Sequence, residues 1–479
     1  MEILVSSPAS PYPHAKDWTG PNDRDNPRDF SLPRKIFSTV AYTGLAFVST
    51  LAASLYAAGR ENVKAEFHTT EEISILPLSL YNVGMAFGPL IGSPLSETAG
   101  RRVVVLITTP LFALFILGSG FANTVVGLNV CRFFAGAVAA PAIGNASATI
   151  CDYTAGRYRS VVMAFYYAIP TFGAVLGPLI GGFVVQGKGW RWTQWTTIFF
   201  IIAFYMPVLF TKETYKKTIL QRRARKYNIE GPDVVQRTVW QWTRYFITVL
   251  VLRPAHMLFT ETIVTLVCMY SGFLFGLLYS FVTASPWVYE HYYGFDTTGQ
   301  SLSFLGLISG TLLAPIPLVL LDHYIYQPRL KVHSAANNTN GRFPPEHRLY
   351  PAIIAAPLMP VFLVLFAWTA EYRVHWACPI VFQGLAMMAS VVIYAPTNLF
   401  MIDAYGPLYG ASAAGAAMLS RYTLSAAFPL FSLPMFEALG VGWATTLLAG
   451  FTAVMAPIPW LFWKFGARLR MRGKYEISD

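Results

Sequence analysis

The sequence predicts an all-α polytopic membrane protein of twelve transmembrane helices, arranged as two pseudo-symmetric six-helix halves. Hydrophobic residues make up 54% of the 479, charged residues make up only 12%, and the mean hydropathy is +0.46. Soluble domains carry about 25% charged residues, so a soluble fold could not cover this much apolar surface. Landmarks that recur in both parts of the chain predict the symmetry.

Twelve stretches are long enough to span a bilayer, which takes roughly 20 apolar residues. Six precede a polar segment and six follow it, and the second and tenth carry more prolines or polar residues than the others. The expected spans lie near 36–58, 73–95, 103–121, 125–150, 160–185, 193–210, 258–283, 300–321, 349–370, 376–401, 411–436 and 441–463.

The net charge of +11 is concentrated in segments between the apolar runs. This pattern is typical of membrane topology and argues against a nucleic-acid partner. Basic residues are dense in the central loop and in alternate connections, which predicts that both termini face the cytoplasm. The expected divisions are a cytoplasmic tail at 1–33, a first half at 34–210, a basic cytoplasmic loop at 211–255, a second half at 256–463 and a cytoplasmic tail at 464–479.

The two halves share landmarks at corresponding helix ends. Asp152 follows the fourth expected span and Asp403 follows the tenth. Trp190 follows the fifth span and Trp443 the eleventh, each directly after a glycine. Transporters built from two related halves place their substrate site at the interface between them.

The fifth span contains a stripe of glycines. Gly173, Gly177 and Gly181 recur every four residues, so they share one helix face, and Gly182 lies beside them. A face without side chains allows close helix packing, while Pro178 removes a backbone donor and favours a bend. The pattern fits either a tightly packed helix or a flexible helix at a moving interface of a transporter, and the rest of the chain favours the second.

These residues resemble the drug:proton antiporter branch of the major facilitator superfamily, which has twelve helices. The run 173–182 is similar to the antiporter motif of its fifth helix, 88–102 to its signature between helices two and three, and 128–136 to its fourth-helix motif. The segments 345–349, 403–407, 428–431 and 457–460 resemble the fungal multidrug and polyamine exporters.

The signature between helices two and three implies a conformational latch. The resemblance gives this role to Glu97, Gly100, Arg101 and Arg102, although Glu97 stands where the family usually has aspartate. A carboxylate in that turn could pair with an arginine and a helix end, and so hold the halves in one state. The alternative is an ordinary solvated pair worth under about 1 kcal/mol.

Proton coupling is also implied by the resemblance, since no carboxylate lies near the middle of an expected span. The proton-coupling residues expected are Arg132, Asp152, Glu261 and Asp403.

Two arginines lie within apolar spans. A charge at the centre of a membrane helix costs roughly 2.5–3.5 kcal/mol on insertion scales, so each needs compensation. The resemblance links Arg132 to proton transfer, and a structural role is equally plausible for it, whereas a structural role is expected for Arg421.

Polar and aromatic side chains on apolar helices are the candidates for lining a substrate cavity. Tyrosine suits bulky amphipathic ligands, because it offers a large apolar face and one hydrogen-bonding tip. The candidates are Tyr81, Asn82, Asn145, Tyr166, Tyr270, Tyr279, Gln383, Tyr394 and Asn398.

The function expected is secondary active transport, with proton-coupled efflux of drugs, toxins or fungal secondary metabolites by alternating access. We expect no enzyme activity, no cofactor and no metal site, because neither a catalytic constellation nor a phosphate-binding loop is present. The expected partners are a small organic substrate, protons and the lipid bilayer, for a monomer in the plasma membrane of a fungal cell. Polyamine export, import and a transport-inactive sensor remain alternatives.

Overall fold

The computed structural model describes residues 15–20, 23, 25–154, 156–232, 252–336 and 344–471, and the single positions 240, 241, 244, 247, 248, 473 and 475. Parts of the expected tails, 1–33 and 464–479, and of the expected loop, 211–255, lie outside these residues.

The first half consists of six long helices, which we number as spans 1–6. Span 1 begins with a proline in its first turn, where the missing amide donor costs nothing. Span 4 begins at Thr124, whose hydroxyl accepts a 3.1 Å hydrogen bond from the amide of Gly127. The helices are Leu32–Leu55, Glu71–Thr98, Arg101–Gly120, Val125–Tyr153, Gly156–Lys188 and Arg191–Leu209.

The second half contains spans 7–12 and is less regular. Span 7 is Thr262–Tyr293 and span 9 is Tyr350–Glu371. Span 8 has three interruptions, and the one near residue 314 lies at Pro315 and Pro317, because each proline removes a helix hydrogen bond. Its pieces are Thr297–Ser303, Leu305–Leu313, Pro315–Leu321, a π-helical turn at Asp322–Tyr326, and Gln327–Ala336.

Spans 10–12 follow one another almost without loops. One hydrogen-bonded run covers Ala377–Met455, and only Gly406 (φ 59°) and Gly440 (φ 73°) leave helical geometry within it. Glycine tolerates these left-handed values, which would strain other residues. Span 10 therefore ends at Gly406, span 11 ends at Gly440, and span 12 continues through the final helix Ile458–Met471.

The prediction of an all-helical, twelve-span protein is confirmed. Among the described residues, ten segments are long and apolar enough to cross a membrane, and one of them, Tyr409–Met471, holds spans 11 and 12. Span 2, Glu71–Thr98, brings the number to twelve. Several helices extend past their predicted edges, as Gly156–Lys188 does beyond 160–185.

Two further structures lie at one end of the bundle, which we call the basic end. Helix Lys216–Tyr227 follows span 6 and buries Leu220 and Arg223. The segment before span 1 lies against this helix, where Arg223 binds Asp23. The turn between spans 2 and 3 is at the same end.

The surface around the spans is apolar. Phe183, Leu312, Leu358 and Val454 belong to spans 5, 8, 9 and 12, and each exposes a large share of its side chain. A continuous apolar exterior on long helices is suited to lipid. The protein is therefore a multi-pass membrane protein.

Candidate transport site

A central cavity lies between the two halves. Its volume is about 70 Å³, and both halves contribute to its lining. Spans 4 and 5 supply Ser147, Tyr166 and Tyr167, while spans 10 and 11 supply Asn398 and Arg421. The rings of Tyr167 and Tyr394 meet edge to face across the interface, with centroids 5.2 Å apart. Any ligand in this space contacts both halves.

Three of the nine residues predicted to line a cavity do line this one: Tyr166, Tyr394 and Asn398. Tyr166 donates a hydrogen bond to the carbonyl of Ile143, and the Asn398 amide donates to the carbonyl of Tyr394 at 2.9 Å. The Tyr166 hydroxyl and the Asn398 amide nitrogen are therefore held by backbone carbonyls, while both side chains line the cavity.

The other six predicted residues are buried elsewhere. Tyr81 donates to the carbonyl of Ser49 at 2.7 Å, inside the first half. Gln383 donates to the Ser285 hydroxyl at 2.6 Å, inside the second half. Asn82 crosses between the halves, 3.4 Å from the carbonyl oxygen of Ser425. The remaining three, each at most 2% exposed, are Asn145, Tyr270 and Tyr279.

Sequence reasoning missed part of the cavity lining. Tyr167, Phe275 and Tyr422 line the cavity, but the pattern along their own helices did not separate them from packing residues. The adjacent pair Tyr166 and Tyr167 could have indicated the cavity. Neighbouring residues on a helix face directions about 100° apart, so two adjacent tyrosines cover a wide sector of the helix surface.

Arg132 ties three spans together inside the first half. Its Nε, Nη1 and Nη2 donate to the carbonyls of Pro77, Ala52 and Ala53, at 3.3, 2.9 and 3.2 Å. The guanidinium also lies 4.5 Å from the ring centroid of Tyr81. Every nitrogen of this fully buried group therefore has an acceptor within the protein, and the geometry is that of a structural donor.

Arg421 is in a different environment. It is 5% exposed, and its guanidinium is surrounded by the rings of Phe275, Tyr422 and Tyr394 at 4.7, 5.0 and 5.2 Å. Cation–π contacts of this kind partly compensate a buried charge. Unlike Arg132, it lines the central cavity.

The glycine stripe of span 5 faces span 1 in the same half. A Cβ on Gly173 would come within 2.5 Å of the Phe47 carbonyl oxygen, and one on Gly181 within 2.8 Å of the Ala58 Cβ. Gly177 packs equally closely, since a Cβ there would lie 2.7 Å from the Leu55 amide nitrogen. The stripe therefore allows two helix backbones to touch.

Gly182 and Pro178 face the other half. Gly182 lies against the hydroxyl of Ser301 in span 8. Both residues line a second cavity of about 400 Å³ at the end opposite the basic end, together with Trp287 and Glu437 of the second half. Span 5 thus packs on span 1 with one face and meets the second half with another.

The turn between spans 2 and 3 is organised by a carboxylate that the sequence did not single out. Glu213 accepts hydrogen bonds from the backbone amides of Arg101 and Arg102, at 2.9 and 3.2 Å. Gly100 precedes them with a φ of 106°, and a Cβ there would collide with Glu213. Glu97, the predicted latch carboxylate, is exposed to solvent.

The signal for Glu213 was present in the chain. It is the one acid in a segment of threonine and basic residues directly after span 6, 211–217. A negative charge at the N-terminus of a helix is stabilised by the helix dipole and by the free amides there. The sequence did not indicate which helix N-terminus the Glu213 side chain binds.

Asp152 and Asp403 occupy corresponding positions at the basic end. Asp152 lies 3.6 Å from the Nε of Arg101 and accepts from the Thr214 hydroxyl at 3.1 Å. Asp403 lies 2.5 Å from the Nε of Arg348. Each half therefore pairs the acid at the end of its fourth span with an arginine from a neighbouring connection.

Glu261 begins span 7 and is 3% exposed. Its Oε2 accepts a 2.9 Å hydrogen bond from the hydroxyl of Tyr405, which belongs to span 10. This contact lies at the basic end, because Tyr405 follows Asp403 by two residues.

The segment before span 1 is fixed by a buried ion pair. Both guanidinium Nη atoms of Arg223 donate to Asp23, at 2.8 and 2.7 Å, and one of them also reaches Asp25 at 2.8 Å. Burial alone would raise the pKa of the Asp23 carboxyl, but the bonds from Arg223 and from Thr19 hold that pKa well below its ordinary value. The pair therefore stays ionised.

The fold and the cavity define a polytopic membrane carrier in which two six-helix halves enclose a binding space. Residues 42–429 match the Major Facilitator Superfamily, and the chain belongs to this family.

Three curated relatives cover most of this chain. The MFS-type transporter traF of Penicillium crustosum is 34% identical over 463 residues, covering 96% of this chain and 93% of traF. The efflux pump radE of Floropilus chiversii is 30% identical, covering 97% and 86%. Polyamine transporter 4 of Saccharomyces cerevisiae is 30% identical, covering 97% and 74%.

The proton:xylose symporter XylE has a similar fold, with a TM-score of 0.65 at 15% identity over 91% of this chain and 96% of XylE.

Proposed function

We propose that this chain is a secondary active exporter that moves drugs, toxins or fungal secondary metabolites across the membrane in exchange for protons. The observation that carries the proposal is the central cavity, to which both halves contribute aromatic and polar side chains. A ligand held between two halves couples its own binding to their relative movement, which is the basis of alternating access. The relative radE is an efflux pump, which supports the outward direction.

We assign proton coupling to Asp152 and Asp403, and also to Glu261, which binds Tyr405 of the same span as Asp403. Each aspartate faces an arginine at the basic end, so adding a proton would remove the charge that holds the pair. A group that changes charge on the transport path is what coupling needs. Release of these contacts would accompany opening toward the cytoplasm.

Polyamine export is the second candidate, because a relative is described as a polyamine transporter. A polycation would be matched by carboxylates at its binding site. Among the described residues that line the central cavity, the charged side chain is Arg421, and no aspartate or glutamate is present. The cavity is therefore better matched to substrates other than polycations.

The deciding experiment compares a fungal strain that lacks the protein with one that expresses it, over a panel of organic compounds. Export predicts that the deletion strain accumulates more of a substrate and is more sensitive to it. Collapsing the proton gradient in the expressing strain should produce the same accumulation. Reduced uptake in the deletion strain would instead indicate an importer, and unchanged fluxes would indicate a transport-inactive sensor.

The coupling residues are tested with Asp152→Asn and Asp403→Asn in the same strain. Either variant should lose gradient-driven export while still exchanging labelled for unlabelled substrate. If both variants keep full gradient-driven export, the assignment to these aspartates is wrong.

The location and assembly belong to the same proposal. We assign the protein to the plasma membrane as a monomer, with 211–255 in the cytoplasm, because basic segments favour that side. A fluorescent fusion, light scattering on the purified protein and reagents that label residues from one side of the membrane test the three statements separately.

A further inference from the structure

We infer that Arg421 is an anion-binding residue of the central cavity, and that the preferred substrates are amphipathic organic anions such as carboxylates and phenolates. This inference rests on the proposed export function and adds a substrate class to it.

The first argument is the unbalanced charge of Arg421. No carboxylate in the described part of the chain lies within 4.0 Å of its guanidinium, and its Nε has no hydrogen-bond partner there. The side chains that surround it, Phe275, Tyr394 and Tyr422, carry no formal charge at neutral pH. The surrounding rings attract a cation, but a buried charge without a counter-ion remains costly.

The second argument is the contrast with Arg132. Both arginines are at least nine-tenths buried inside apolar helices. All three guanidinium nitrogens of Arg132 donate hydrogen bonds to backbone carbonyls, and Arg132 is not among the residues that line the central cavity. Among the described residues, Arg421 makes no such bonds to backbone carbonyls, and it lines that cavity, so its guanidinium remains available to a ligand.

The third argument is the shape and polarity of the space. About 70 Å³ accommodates a charged headgroup, since about 10–15 Å³ in the same measure holds one water molecule. A second pocket of about 50 Å³ shares Tyr167 with it and extends toward the basic end. Leu318 and Leu399 line that pocket and offer an apolar surface to the body of the ligand.

The anion would also link the two halves. Arg421 belongs to span 11, whereas Ser147, Tyr166 and Tyr167 line the same cavity from spans 4 and 5. A headgroup bound to the guanidinium therefore contacts the first half as well, so its charge contributes to closing the halves around it.

The test measures binding of two dyes that share a xanthene ring system, anionic fluorescein and cationic rhodamine 123. Fluorescence anisotropy on the purified full chain gives a Kd for each. The wild type should bind fluorescein more tightly than rhodamine 123. Arg421→Gln should weaken fluorescein binding about tenfold or more, as for loss of a charge-assisted hydrogen bond, and leave rhodamine 123 within about twofold. Arg421→Lys should retain part of the preference.

Two further variants complete the test. Arg468→Gln removes an exposed arginine at the basic end and should change neither Kd. Ser147→Asp keeps Arg421 and places a competing carboxylate in the cavity, so it should weaken fluorescein binding even if Arg421→Gln does not fold.

Equal losses for both dyes in Arg421→Gln or Ser147→Asp overturn the inference, as does a wild type without a preference for fluorescein. Failure of the export proposal looks different. The protein would bind fluorescein through Arg421 yet change the flux of no compound in the strain comparison.

Discussion

The side chain of Glu213 caps the helix that begins at Arg101, although 112 residues separate the two in sequence. Its two carboxylate oxygens receive the amides of Arg101 and Arg102, and the side chain is 7% exposed. The contact joins the segment after span 6 to the turn between spans 2 and 3. It therefore closes the first half at the basic end.

Removing this cap should destabilise the protein. Glu213→Ala deletes the two charge-assisted hydrogen bonds at this helix N-terminus and two more from the amides of Thr214 and Tyr215, so we expect a loss of at least about 1–2 kcal/mol and a lower Tm. Thermal unfolding of the purified protein checks this. Glu97→Ala changes an exposed carboxylate in the same turn and should leave the Tm nearly unchanged. A larger loss of Tm in Glu97→Ala than in Glu213→Ala would show that Glu97, and not Glu213, stabilises this turn.

Transport by the same two variants tests the predicted latch. If Glu97 acts as a latch, Glu97→Ala should slow export severalfold at unchanged Tm. Unaltered export would restrict the latch to the arginines and Glu213.

The glycine stripe predicts a sharp position dependence along span 5. Gly177→Ala would drive a methyl group into the backbone of span 1 near Leu55, and overpacking of this kind costs typically 1–3 kcal/mol. Gly187→Ala lies on the same helix, and no described atom outside its own helix turns lies within 4 Å of the new methyl, so it should be neutral or slightly stabilising. Tm values of both variants, measured in the same detergent, decide the matter. Equal effects would mean that the stripe does not pack as described.

The pair of Arg348 and Asp403 should show measurable coupling. Their side chains are 13% and 22% exposed, so solvent screens them less than it screens a surface pair. A double-mutant cycle with Arg348→Gln and Asp403→Asn, measured on the free energy of unfolding, should give a coupling free energy of about 1–2 kcal/mol. The same cycle on Lys216 and Asp17, which are 50% and 64% exposed, should give under about 1 kcal/mol. Similar values for the two cycles would contradict this ranking.

Docking of the segment before span 1 should be insensitive to mild acid. The folded pKa of Asp23 is lowered, so its ionised form stabilises docking above the ordinary value of 3.8 and this stability is lost only as the pH falls below that value. The protection factors for hydrogen exchange of residues 15–20 and 25–30, corrected for the pH dependence of the intrinsic exchange rate, should therefore be the same at about pH 8 and pH 5. Asp23→Asn should lower the protection factors at both pH values. Lower protection of the wild type at about pH 5 would show that another group controls docking.

The sequence predicted the fold well because a bilayer imposes strong rules on composition and helix length. It placed all twelve spans, and the landmarks Asp152 and Asp403 proved to occupy equivalent ion pairs. Span edges were less accurate, because helices such as Gly156–Lys188 continue beyond their most apolar stretch.

The site was harder to predict, because an apolar helix presents several faces to different neighbours. Tyr81 and Tyr166 look alike in sequence, yet one packs inside the first half and the other lines the cavity. The difference between Arg132 and Arg421 depends on carbonyls supplied by other spans, which no local pattern encodes. Glu213 was missed for the same reason.

The bond between Arg223 and Asp23 also determines where this polypeptide can be divided. Helix Lys216–Tyr227 is bound to the N-terminal segment and therefore belongs structurally to the first half, although it follows span 6 in the chain. If the protein were expressed as two fragments, a division just after Tyr227 would keep this helix with spans 1–6. A division before Lys216 would separate it from the segment that it binds.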